Sequence, residues 1–127
     1  MTENKISKII IDRAIYIHRR LGPGLLESVY EKILLLELRK AGLRCERQFP
    51  VDVIWDDEPM GMGFKADLIV EDKVIVELKS AERVHPVNFK QVLTYLRLTG
   101  THLGLLINFN EKTLIEGYHR VVNDLPE

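Results

Sequence analysis

Residues 64–79 constrain this chain most. The runs 64–70 and 74–78 are rich in aliphatic and β-branched residues, and the polar trio Glu71, Asp72 and Lys73 between them has turn chemistry. A β-hairpin is therefore predicted. A turn centred on Asp72 pairs residues equidistant from it, which sets Asp67 directly across from Glu77. Facing side chains in an antiparallel pair lie roughly 4.5–5.5 Å apart at Cβ, where like charges destabilise unless a counter-charge is present. A divalent cation would supply one. Lys79 follows Glu77 by two residues, so strand periodicity puts it on the same face as both acids. The alternative is a partly solvated strand face carrying ordinary charges, and the apolar flanks argue against it.

A chain of 127 residues can bury one core but not those of two ordinary domains, so a single domain over 1–127 is expected. Hydrophobic residues make up 46% and charged residues 29%, which fits a globular protein and excludes a disordered one. The formal net charge of −1 gives no global signature of nucleic-acid binding. Neutralising three acids with bound metal would leave the chain only mildly basic. The lone cysteine, Cys45, cannot form an internal disulfide; it falls in an alternating segment, which favours a buried structural thiol over a nucleophile. No apolar run approaches the roughly 18–20 residues of a membrane span. The polar start Met1-Thr2-Glu3-Asn4-Lys5 leads into no signal-peptide core, and a cytoplasmic location is expected.

Residues 5–20 place Ile6, Ile9, Ile10, Ala14 and Ile17 at helical spacing, and the Leu21-Gly22-Pro23-Gly24 run stops that helix. A second helix follows through Leu25, Leu26, Val29, Tyr30, Ile33, Leu34 and Leu38, ending near Gly42. The period then changes to two. Leu43, Cys45, Arg47 and Phe49 alternate with Arg44, Glu46 and Gln48, while Pro50 points to an edge strand or a bulge. With the hairpin, this makes a three-stranded antiparallel meander. Residues 87–99 return to helical spacing, and the nearly continuous apolar run 103–109 is predicted to be a strand buried on both faces, parallel to residues 76–78. The tail around Leu114–Val122 could add a short edge strand.

An Asp at a strand end, a Glu-x-Lys on the next strand, a Gln on the following helix and an acid on an earlier helix together resemble the PD-(D/E)xK nuclease superfamily. More narrowly, Gly24-Leu25-Leu26-Glu27-Ser28-Val29-Tyr30 is similar to the signature of the GxxExxY family, as is Gly104-Leu105-Leu106-Ile107-Asn108-Phe109. The resemblance covers about residues 5–122. It implies a mixed α/β (α+β) restriction-endonuclease-like core, a central mixed sheet of four to five strands flanked by helices. It further implies a divalent metal held by Asp67, Glu77, the backbone carbonyl of Leu78 and Glu27, with Lys79 acting on the attacking water and Gln91 lining the site. One departure stands out: where a His-Glu pair is expected just before the Gln, this chain has Asn88-Phe89-Lys90.

Each candidate also has a structural role open to it. Lys79 can pair with Glu77 or Asp67, Glu27 can meet the dipole of its helix, and Gln91 can be a boundary residue beside an apolar stripe. Tyr30 can pack in the core or bring its hydroxyl near the site. His18, His85, His102 and His119 show no ligand spacing and are expected at solvated or boundary positions. Hard oxygen ligands, without a cysteine pair or paired histidines, favour Mg²⁺ or Mn²⁺ over zinc. The expected function is metal-dependent hydrolysis of DNA or RNA phosphodiesters by Asp67, Glu77, Lys79, Glu27 and Gln91, with nucleic acid as partner and a homodimer or protein partner widening the surface. The alternative is a non-catalytic nucleic-acid-binding or assembly domain that keeps the acidic metal site.

Overall fold

Thr2 opens the first helix by accepting the Lys5 N–H at its hydroxyl (3.2 Å), which satisfies one of the free donors at a helix start. In the computed structural model, which describes residues 1–126, that helix is α1 (Glu3–Leu21). It is followed by α2 (Glu27–Lys40), β1 (Cys45–Trp55), β2 (Glu58–Val70), β3 (Val74–Lys79), α3 (Pro86–Thr99), β4 (Leu103–Asn108) and, after a 3₁₀ turn at Ile115–Gly117, β5 (Tyr118–Val122). The five strands form one mixed sheet in the order β1-β2-β3-β4-β5. Neighbours are antiparallel except β3 and β4, which run parallel. The predicted meander, the parallel crossover through α3 and the tail strand are therefore all present. The sheet and its flanking helices form an α+β, restriction-endonuclease-like arrangement. Among the described residues, no helix is long and apolar enough to cross a membrane.

Helices α1 and α2 cover one face of the sheet. Ile6, Ile10, Ala14 and Ile17 of α1 and Tyr30, Leu34 and Leu38 of α2 pack with Val74, Val76 and Leu78 of β3 and Leu103, Leu105 and Ile107 of β4. Tyr30 stacks on Phe109 at 4.4 Å between ring centroids, and both are fully buried. The Tyr30 hydroxyl donates to the Gly22 carbonyl (2.6 Å) and accepts from the Leu25 N–H (3.2 Å), so it ties down the turn between the helices. Helix α3 covers the other face with Val92 and Leu96 against Ala66 and Ile75. A Cβ on Gly104 would lie 2.5 Å from a Val92 methyl, so α3 rests directly on the backbone of β4. Every residue of β4 is buried, as its unbroken apolar run predicts.

β1 is an edge strand, as Pro50 predicts, but Pro50 itself keeps regular register with Lys65, and the register shifts lie beyond it, on either side of Asp52. The alternation on β1 departs from expectation. Cys45 packs in the α1–α2 layer, whereas Phe49 packs in the α3 layer. β2 does the same: Leu68 and Val70 face α1 and α2, but Ala66 and Phe64 face α3. A regular strand would keep residues two apart on one side. The switch falls between the pairs Arg47↔Leu68 and Phe49↔Ala66, at Gln48 and Asp67, where Gln48 has a left-handed backbone (φ 51°).

Cys45 is buried, and loss of solvation pushes its thiol up to about 12. The native protein should therefore react with a chromogenic aromatic disulfide at pH 8 only as fast as the chain opens. The urea-unfolded chain should react at once, and equal rates would show that Cys45 is accessible. His18 corrects the expectation for the histidines: it is buried and its Nε2 lies 2.9 Å from the Glu111 carbonyl.

Candidate metal centre

Backbone pairing of β2 with β3 runs through Val70↔Val74, Ile69↔Ile75 and Leu68↔Val76, the register expected from a turn centred on Asp72. Glu71 and Asp72 both adopt φ 54°, and the Lys73 N–H closes the turn on the Val70 carbonyl (3.0 Å). Beyond Leu68 the two strands are linked through side chains. The Asp67 N–H donates to Glu77 Oε1 (3.3 Å), and the Leu78 N–H donates to Asp67 Oδ2 (2.9 Å). Each acid accepts a backbone donor from the opposite strand, and this exchange holds the two carboxylates together.

Glu77 and Lys79 open on the α3 side into a cavity of about 50 Å³, lined also by Asn88, Gln91, Val92, Tyr95 and Leu106. Asn88 Nδ2 donates to Gln91 Oε1 (3.4 Å), and Tyr95 stacks on Phe64 at 3.8 Å. Burial, and then the nearby Asp67 carboxylate, push Glu77 up to about 8. Burial and the same two acids also raise Tyr95. Among the described residues Lys79 makes no ion pair with either acid, contrary to the pairing expected of it.

Asp67, Glu77, Leu78, Lys79 and Gln91 thus gather at the diverging end of β2 and β3. Glu27 lies apart, on the rim: the Ser80 N–H donates to its Oε1 (3.3 Å), while the Ser80 hydroxyl donates to the Leu25 carbonyl (2.6 Å). One helical turn further along α2, Glu31 is buried, ion-paired with Arg47 Nε at 3.0 Å and bonded to the Gln48 amide. Gln48 Nε2 also donates to Asp67 Oδ1 (3.3 Å), which connects Glu31 to the site. Helix α2 therefore reaches the surroundings of the two acids twice, at Ser80 just after β3 through Glu27 and at Gln48 of β1 through Glu31. Glu31, Arg47 and Gln48 are absent from the candidates drawn from sequence. The available signals are a charged Arg47 in the apolar phase of its strand and Glu31 four residues after Glu27.

Among the described residues no three His, Cys, Asp or Glu side chains converge to form a metal cage. Two carboxylates are nevertheless the donor set that suits Mg²⁺, an ion commonly bound by one or two acids while water and substrate phosphate complete its shell. A divalent ion at the Asp67–Glu77 pair would favour the charged form of Glu77, which burial and the neighbouring carboxylate alone disfavour.

A family model described as the PD-(D/E)XK nuclease superfamily matches residues 4–121. No curated protein and no solved structure matches the chain.

Proposed function

Because the chain belongs to the PD-(D/E)XK nuclease superfamily, we propose that it is a divalent-metal-dependent nuclease hydrolysing DNA or RNA phosphodiester bonds, acting as a single domain over residues 1–127. The reciprocal bonding of Asp67 and Glu77 across β2 and β3 carries this reading. Asp67, Glu77 and the Leu78 carbonyl would hold Mg²⁺ or Mn²⁺, with Glu27 adding negative charge at the rim. When bound, the ion supplies charge neutralisation on the phosphate and a water acidic enough to react near pH 7. Lys79, which makes no ion pair among the described residues, is available to bind a phosphate oxygen or orient the water. Gln91 offers an amide from α3 to the same cavity. The segment Gly24 to Tyr30 supports assignment to the GxxExxY family within this superfamily.

A net charge of −1 favours a second reading, in which the site binds metal and nucleic acid without cleaving, or needs a partner subunit to widen the surface. Incubating the full chain with single-stranded, duplex and branched DNA and RNA in Mn²⁺ distinguishes the two. Cleavage that stops on chelation and returns with Mg²⁺ or Mn²⁺ is the expected result. Metal binding by calorimetry without turnover on any substrate would favour the binding role, and no metal binding would remove both.

A further inference from the structure

Gln48 is a non-glycine residue held at φ 51° in the interior of β1, and its side chain is exposed, so packing does not dictate where the amide goes. Its hydrogen-bond acceptors do. Nε2 lies 3.0 Å from both Glu31 oxygens and 3.3 Å from Asp67 Oδ1. Carboxylates only accept, so the nitrogen of the amide must face them, and its two hydrogens serve one acid each. Glu31 is a firm anchor because it is 4% exposed and paired with Arg47. Asp67 is consequently gripped on both oxygens, by Gln48 at Oδ1 and by the Leu78 N–H at Oδ2. A backbone that glycine would adopt without steric cost is occupied here by the side chain that bridges two acids.

We propose that Gln48 is a positioning residue, whose amide links Asp67 to the buried Glu31–Arg47 pair and presents the Asp67 carboxylate in a fixed orientation to the divalent cation. The inference rests on the metal reading of Asp67 and Glu77 and assigns that site a support outside the metal's own ligands. Groups that orient a ligand in this way commonly change metal affinity by 10- to 100-fold when removed.

Gln48→Gly is the discriminating variant, since it relieves the left-handed backbone while deleting the bridge. Mn²⁺ titration by calorimetry on the full chain, with thermal melts on the same samples, should show affinity weakened by roughly 10- to 100-fold at an undiminished melting temperature. A residue kept only for its turn would give unchanged affinity, which would overturn the proposal. Gln48→Asn provides the control if glycine loosens the strand. It tolerates the same backbone but is one methylene too short to span both acids, so it must also lose affinity at a wild-type melting temperature. Absence of Mn²⁺ binding by the wild-type chain would overturn the metal reading and this inference together. Wild-type binding matched by both variants would overturn this inference alone.

Discussion

Glu77→Gln should slow metal-dependent cleavage by roughly two to three orders of magnitude while leaving the metal-free protein at least as stable as the wild type. Glu77 is largely withdrawn from water beside Asp67, and both burial and that neighbour disfavour its charge. The glutamine amide has nearly the same shape and its oxygen can still accept the Asp67 N–H, so the strand connection at 3.3 Å survives. What disappears is half of the anionic pair that would hold the cation. A bound metal contributes several kcal/mol to stabilising the transition state. At 1.36 kcal/mol per factor of ten, its loss amounts to roughly 10²- to 10³-fold in rate. The melting curves should then reverse order with conditions. In chelator, Glu77→Gln should melt at or above the wild type. At a Mg²⁺ concentration 100 times the dissociation constant, the wild type should gain about 2.7 kcal/mol that the variant cannot. A variant that melts well below the wild type in chelator, or cleaves at the wild-type rate, would show that Glu77 serves the fold rather than a cation.

The largest loss of stability is expected at Phe109, the residue immediately after β4. Its ring is fully buried, stacks on Tyr30 at 4.4 Å and lies 6.4 Å from the His18 ring, so it joins α1, α2 and the sheet. Phe109→Ala should cost about 3–5 kcal/mol, combining lost transfer energy with the cavity left behind. Against the ~5–15 kcal/mol total of a typical domain, this threatens folding itself. Urea denaturation should show a large fall in midpoint, and Phe109→Leu, which retains most of the volume, should lose much less. A change below about 1 kcal/mol for the alanine variant would mean that the helices pack on the sheet without this ring.

The turn at Asp72 was legible because its chemistry is local: three polar residues between two apolar runs set the register as far as Leu68↔Val76, one step short of Asp67 and Glu77, which are joined through side chain-to-backbone bonds instead of the expected ladder pairing. The helices and the buried β4 were legible through hydrophobic period. The Glu31–Gln48–Asp67 bridge was not. It depends on β1 lying beside β2 and on a single left-handed residue, Gln48, which alters the strand phase with no glycine to signal it. For the same reason Phe49 is found on the face opposite the one its spacing predicts. Arg47 illustrates the general difficulty, since a charge at an apolar position implies a buried partner without naming it, and the partner came from a helix sixteen residues earlier. The burial of His18 was not legible because its partner is a backbone carbonyl, that of Glu111, and carbonyls leave no mark in a sequence.

The switch of faces at Gln48 and Asp67 also bears on how the molecule comes apart. β1 and β2 are each stitched through both hydrophobic layers, with Cys45 and Leu68 anchored on one side and Phe49 and Ala66 on the other. Neither α3 nor the α1–α2 pair can peel away without loosening strands that the opposite layer also holds. Asp67 sits at the stitch itself, and Glu77 of β3 accepts its N–H. Their alignment is thus conditional on both halves of the core being closed, so a partly opened chain loses its candidate metal site before it loses its sheet.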